Sequence, residues 1–262
     1  NLQLGSGNFT LAAWIKPGSS PAGTDYGYFA GGWGPGAITT VDRLDYSSDT
    51  STASARGPLA AHRMSAAGVG NISYGYIAGG YAYSPGPPDV RSNIYRIDYS
   101  SDSPTTTEKG PLSAARKYFG AIGNTDYGWF VGGTPGPGPG YSTVDRLDYS
   151  SDTTAAAVRG PLSSNRHSNA AATGNTDYGW IGGGTTPTGW PASSTVDRID
   201  YSNDSPTAAS GKGPLINAVQ SQSATGNADY GYWTGGEPAL TTVSRLDYSN
   251  DTTTASPKGP LA

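Results

Sequence analysis

The sequence contains no cysteine, one methionine and two histidines in 262 residues. Disulfides and thiolate metal sites are therefore excluded, although this does not fix the compartment. Charged residues make up only 14% and the formal net charge is −4. There is no run of Lys or Arg, so the electrostatic footprint of a nucleic-acid binder is missing. No stretch approaches the roughly 20 apolar residues that span a bilayer, and membrane insertion is not expected. Glutamate occurs only as Glu108 and Glu237. No Ser/His/Asp spacing and no Cys/His constellation is present, and His62 and His167 fall in similar but not identical places.

What is abundant is glycine (39), proline (20), tyrosine (18) and tryptophan (6). Gly and Pro destabilise helix interiors, so this composition favours short strands joined by many turns. The aromatics recur at fixed places. Asp-Tyr-Ser starts at Asp45, Asp98, Asp148, Asp200 and Asp247, with spacings of 53, 50, 52 and 47 residues. Around each copy stands the same longer unit. A small-residue run ends in Gly-Asn, as in Ala170 to Asn175, and Asp-Tyr-Gly-aromatic leads into Gly-Gly, as in Asp126 to Gly133. A loop of varying length follows, then Val-Asp-Arg-Leu-Asp-Tyr-Ser, as in Val144 to Ser150. A Thr/Ala/Ser segment closes with Gly-Pro-Leu, as in Thr153 to Leu162.

The unit reads as four strands, a to d. Strand a is small enough to crowd near an axis, b is apolar and aromatic, c alternates, and d is a polar outer edge. Four antiparallel strands in about 50 residues predict a propeller blade, and five copies predict an all-β, five-bladed β-propeller in one domain. The blades are expected over 8–59, 60–112, 113–162, 163–215 and 216–261, with strand a of the first drawn from Asn8 to Lys16. An open β-solenoid is the rival, but its coils usually run to roughly 20–30 residues.

The Gly-Gly doublet after an aromatic strand, and Arg63, Arg116 and Arg166 after Gly-Pro-Leu, resemble the kelch repeat. Where kelch units carry a Trp late in the blade, these offer Ala or Val. The fuller unit, from Asp-Tyr-Gly-Tyr-Phe-Ala-Gly-Gly to Gly-Pro-Leu, is similar to repeats in uncharacterised structural proteins of marine cyanophages and related tailed phages. That resemblance spans residues 24 to 262. It implies a tail fibre or adhesin at a virion or extracellular location, and it implies no catalytic residues.

Two sets of recurring acids invite a functional reading. Arg43/Asp45, Arg96/Asp98, Arg146/Asp148, Arg198/Asp200 and Arg245/Asp247 lie two apart on strand c, so each Arg shares a face with its Asp. They are expected to form structural ion pairs within or between blades, the alternative being five anion or metal sites. Asp49, Asp102, Asp152, Asp204 and Asp251 follow in the hairpin turns, where they are expected to cap the turn, with calcium as the alternative. No other cofactor is expected.

Symmetry is broken mainly in the loop between strands b and c. It holds Trp33 in blade 1, Tyr81 and Tyr83 in blade 2, Tyr141 in blade 3, Trp190 in blade 4 and Glu237 in blade 5. Varied, aromatic loops on a rigid scaffold are the usual build of a recognition surface. The expected function is therefore non-enzymatic binding of a glycan or host surface protein through these loops. The alternative is a structural subunit whose loops contact other copies or other appendage proteins. A glycosidase would need two unpaired carboxylates about 5–10 Å apart, and nearly every Asp here keeps a repeat-equivalent place.

Overall fold

The structure is a computed structural model that describes residues 26–32, 38–48, 50–82, 89–168, 170–186, 191–204 and 208–261. Among these the chain is all-β apart from single 3-10 turns, and no helix is long and apolar enough to cross a membrane. Strands β1 (Tyr26–Ala30), β2 (Val41–Asp45) and β3 (Ser54–Ala55) form the first antiparallel sheet. Strand a of this blade, expected within Asn8 to Lys16, lies outside the described residues. The second sheet joins β4 (Ala67–Gly70), β5 (Tyr74–Ala78), β8 (Ile94–Asp98) and β9 (Thr107–Lys109). The loop of this blade carries a small hairpin, β6 (Tyr81–Ala82) with β7 (Asp89–Val90).

Three more four-stranded sheets follow in chain order. They are β10 (Gly120–Gly123) to β13 (Ala157–Arg159), with β11 (Tyr127–Val131) and β12 (Val144–Asp148) between; β14 (Ala171–Gly174), β15 (Tyr178–Gly182), β16 (Val196–Asp200) and β17 (Ser210–Lys212); and β18 (Ser223–Gly226), β19 (Tyr230–Thr234), β20 (Val243–Asp247) and β21 (Ser256–Lys258). Each sheet is a meander of neighbours, which is the blade expected from the repeat.

The chain divides into two compact units, one of Asn1–Lys117, Gly123–Gly128 and Leu147–Ala156, the other of Tyr118–Ile122, Trp129–Arg146 and Ala157–Ala262. In the first, Tyr28, Ala30, Val41 and Leu59 pack with Ala66, Ile77 and Ile97, so apolar faces of consecutive sheets meet. In the second, Trp180, Val196 and Leu215 pack with Val219, Trp233 and Leu246. A blade has too little apolar surface to bury alone, and stacking on a neighbour supplies the core. The leucine of Gly-Pro-Leu is thereby explained, since Leu59, Leu112, Leu162 and Leu215 are all buried.

Local chemistry fixes the turns. Between strands a and b, Asn71 Oδ1 accepts from Ser73 N and Tyr74 N, and Asn124, Asn175 and Asn227 repeat the arrangement. An Asx turn of this kind satisfies two amides that the hairpin leaves without partners. The Gly-Gly doublet after strand b has positive φ in every blade, with Gly31, Gly132 and Gly235 each at 70°. A side chain would be strained there.

The glycine of Gly-Pro-Leu is required for a different reason, close approach. Its N–H donates to the carbonyl of an aspartate in the following hairpin at 2.8 Å, as in Gly57 to Asp102, Gly110 to Asp152, Gly160 to Asp204 and Gly213 to Asp251. A Cβ on Gly110 would meet Thr154 O at 1.7 Å. Gly110→Ala is therefore expected to cost about 2–3 kcal/mol through forced separation of the backbones. At Gly136 nothing lies within 4 Å of the place a Cβ would take, and alanine should be tolerated there. Urea unfolding of the two variants checks this; equal midpoints would contradict the close-approach argument.

Candidate functional site

The side chains that sequence reasoning singled out fall into three groups: a repeated clasp, a buried arginine seat, and the b–c loops. The clasp begins with register. Tyr28 pairs with Arg43 across β1 and β2, Tyr76 with Arg96, and Trp180 with Arg198. Paired residues project from one face, so each aromatic and arginine stand side by side. Both reach the same aspartate in the next blade. Tyr28 Oη donates to Asp102 Oδ2 at 2.9 Å, and Arg43 Nη1 does so at 2.9 Å. Tyr76 and Arg96 meet Asp152 at 3.0 and 2.8 Å. Trp129 Nε1 and Arg146 Nη1 meet Asp204 at 2.7 and 3.2 Å, and Trp180 Nε1 and Arg198 Nη1 meet Asp251 at 2.9 and 3.0 Å.

A second cation from strand d, or just past it, completes each cluster. Arg56 lies 3.4 Å from Asp102, Lys109 3.3 Å from Asp152, Arg159 3.8 Å from Asp204 and Lys212 3.3 Å from Asp251. The aromatic also stacks on the tyrosine of the next Asp-Tyr-Ser, with centroids 4.8 Å apart for Tyr28–Tyr99, 4.9 Å for Tyr76–Tyr149, 4.1 Å for Trp129–Tyr201 and 3.7 Å for Trp180–Tyr248. The arginine's other side lies over the tyrosine that opens strand b, 4.1 Å away for Arg43 on Tyr26 and 4.4 Å for Arg198 on Tyr178.

This pairing corrects the expectation for strand c. Arg43, Arg96, Arg146 and Arg198 do not pair with Asp45, Asp98, Asp148 and Asp200. Those aspartates instead cap the following turn, as when Asp148 Oδ1 accepts from Ser150 N at 2.9 Å and Ser150 Oγ at 2.6 Å. Asp247 does the same with Ser249, while Arg245 lies over Tyr230 at 4.3 Å. The capping serines hold the carboxyls of Asp45, Asp98 and Asp247 below the ordinary range. The hairpin set has the opposite role. Asp102, Asp152, Asp204 and Asp251 are buried in the ion-paired clasp and are not turn caps; Asp49 lies outside the described residues. The two aspartates of each turn thus serve different partners, which is not how two oxygen ligands share a calcium ion. Among the described residues no three acidic or histidine side chains group to hold a metal.

The second group is the arginine four residues past Leu of Gly-Pro-Leu. Arg63, Arg116 and Arg166 are at most 1% exposed. Arg166 Nη2 pairs with Asp197 Oδ2 at 2.8 Å, and its Nη1 sits between Gly183 O at 2.5 Å and Thr195 O at 3.0 Å. Arg63 Nη2 donates to Tyr95 Oη at 3.2 Å and to Asn93 Oδ1 at 3.3 Å. Sequence reasoning singled out these arginines but missed what they pair with. The signal is that Asp197 stands on strand c in the blade with Arg166, whereas blade 5 has Val219 with Ser244.

The third group is the loops. Their roots are stapled by isolated bridges to the backbone between blades: Ile38 bridges Arg63, Tyr141 bridges Arg166 and Ser193 bridges Val219, each after its own blade, whereas Tyr81 bridges Met64 and Glu237 bridges Gln220, each just before its own blade. Tyr141 is half-buried at such a root, and Glu237 is exposed with its Oε2 accepting from Gln220 Nε2 at 3.2 Å. Tyr81 is only 5% exposed within β6, and the Lys117 ammonium lies 4.0 Å from its ring centroid, so it serves the root and offers no free face. Trp33, Tyr83 and Trp190 lie outside the described residues.

No family model and no curated protein matches the sequence. Among 294 matching chains of solved structures, YjhT superposes with a TM-score of 0.76, covering 97% of this chain and 85% of that one at 13% identity. The fold is that of a β-propeller. At this identity the likeness carries the architecture, and the count of five blades comes from the five blade sheets of this chain.

Two outcomes follow from the clasp. Asp204→Ala removes the buried carboxylate that accepts from Trp129 and Arg146 and is expected to cost about 3 kcal/mol. Asp148→Ala removes only a turn cap and should cost about 1 kcal/mol. Chemical unfolding compares them, and the reverse order would refute the assignment of roles.

The second outcome concerns alkaline pH. Burial, reinforced by Asp102, pushes the Tyr28 phenol up to about 12, burial pushes Tyr248 to about 12, and burial also raises Tyr76, Tyr99 and Tyr149. An unfolded tyrosine ionises near pH 10. Because the folded values are raised, the stabilisation is complete below about pH 10 and is lost as pH rises towards about 12. Phenolate absorbance and loss of β-structure should therefore rise together in that window. Ionisation of all tyrosines near pH 10 with the fold intact would contradict it.

Proposed function

We propose that this chain is a non-enzymatic recognition module that binds a glycan or a protein through its b–c loops. The observation that carries the reading is a division of labour among the side chains. Among the described residues, four of the recurring hairpin aspartates with their arginines are committed to clasps, and the five strand-c aspartates to caps, which leaves the loops as the main place where the five repeats differ. Their roots are held by backbone bridges to the segments between blades, so little freedom of the scaffold is lost when a ligand meets them. The loop sequences supply Trp33, Tyr83 and Trp190, residue types that stack on sugar rings and anchor protein contacts.

The likeness of the repeats to those of phage structural proteins supports an extension of the reading, that the module sits on a virion or other extracellular appendage. A host-surface glycan or protein is then the partner.

Replacing Trp33, Tyr83 and Trp190 together by alanine should abolish saturable binding on a glycan array or to host cells and leave the melting temperature within a few degrees. Retained binding would overturn the loop assignment. The same array run with a chelator tests calcium; the buried, cation-paired hairpin aspartates predict no change. A clean negative, combined with concentration-dependent self-association, would favour a structural subunit over a recognition module.

A further inference from the structure

The arginine seat is filled in blades 2 and 4 and open in blade 5. The position six residues past the linker glycine is Arg63, Arg116 and Arg166 after Gly57, Gly110 and Gly160, and Val219 after Gly213. The backbone is the same at each: Gly32 N donates to Arg63 O, Gly80 N to Arg116 O, Gly133 N to Arg166 O and Gly184 N to Val219 O. On strand c the partner position is Tyr95 in blade 2 and Asp197 in blade 4, and it is Ser244 in blade 5. Both members of the pair are therefore replaced together, by a side chain too short to reach and one without charge.

The carboxylate is gone, but the two residues whose carbonyls held the arginine have counterparts in blade 5. In blade 4 a single nitrogen, Arg166 Nη1, lies between Gly183 O and Thr195 O. The equivalent residues of blade 5 are Gly235 and Thr242, which line a cavity of about 10 Å³ together with Val219, Trp233, Thr234 and Ser244. That volume accommodates one water-sized group, which is also the size of one amino nitrogen. Thr234 Oγ1, on this wall, is buried and has no hydrogen-bond partner.

The geometry points to a binding site in blade 5 for a cationic N–H donor, a guanidinium or alkylammonium group, that inserts one nitrogen where blade 4 places Arg166 Nη1. The two carbonyls and the Thr234 and Ser244 hydroxyls accept from it. Without a carboxylate such as Asp197, the site is weak for a free ion and gains affinity when the cation is attached to something larger. An arginine or lysine of a protein partner and a free small amine share this chemistry. Leu240 of the blade 5 loop also lines the cavity, whereas Trp33, Tyr83 and Trp190 belong to the loops of blades 1, 2 and 4, so replacing those three tests the proposed function apart from this site.

Amide chemical shifts of the labelled full chain, titrated with methylguanidinium and methylammonium chloride, test the proposal. Tetramethylammonium chloride at equal ionic strength is the control, since it carries the charge but no N–H. Saturable shifts at Val219, Thr234, Gly235 and Thr242 with the N–H cations alone are expected. They should vanish in Val219→Arg/Ser244→Asp, which rebuilds the native pair of blade 4. Thr234→Val, which removes one acceptor and no backbone group, should weaken binding about five-fold, the equivalent of one hydrogen bond of about 1 kcal/mol. An arginine-bearing peptide that binds more tightly than methylguanidinium identifies a protein partner as the source; equal affinities identify a free small cation. No saturable shift, or the same shifts with tetramethylammonium, would overturn the site and leave it a seat for water.

Discussion

A buried carboxylate cannot be left alone, and the described blades are joined by arranging that each hairpin aspartate is not. Asp102, Asp152, Asp204 and Asp251 each collect an arginine, a phenol or indole donor and a second cation from the preceding blade. Removing any partner strands charge in a low-dielectric place, so the set is retained together. The rest of the repeat can be derived from this need. The tyrosine before the hairpin supplies the ring on which the donor aromatic stacks, and the linker glycine lets the backbones close to hydrogen-bonding distance. Leucine from the same linker seals the apolar layer beneath.

The architecture was legible in the sequence because periodicity is a direct record of packing. Five copies of one unit, with strand b aromatic and strand c alternating, allow few arrangements other than blades. The turn glycines and asparagines were equally readable, since positive φ and Asx turns demand particular residues. The partner of each arginine was not. Asp148 is two residues from Arg146 and Asp204 is 58 away, and proximity in sequence favours the wrong one. Only the register of the aromatic beside the arginine, and the fact that each blade packs on the next, select the distant acid. The seat of Arg166 was hidden for the same reason, although the joint change to Val219 and Ser244 in blade 5 was in plain sight.

The functional reading rests on what this commitment leaves over. A scaffold whose repeated charges hold its blades together has fixed roots from which loops can vary without disturbing the fold. Blade 5 departs from the others twice, in the shortest b–c loop and in the open arginine seat. Internal repetition thus separates what each blade needs from what the molecule is free to change, and the proposed binding is placed at the departures.

Each strand-c arginine acts between blades, on the hairpin aspartate of the next, and not on its neighbour in sequence. A pair of double-mutant cycles tests this most directly, one for Arg198 with Asp251 and one for Arg198 with Asp200. A coupling of about 1.5 kcal/mol or more is expected in the first and one indistinguishable from zero in the second. Comparable coupling in both, or a larger value for Arg198 with Asp200, would contradict the inter-blade role.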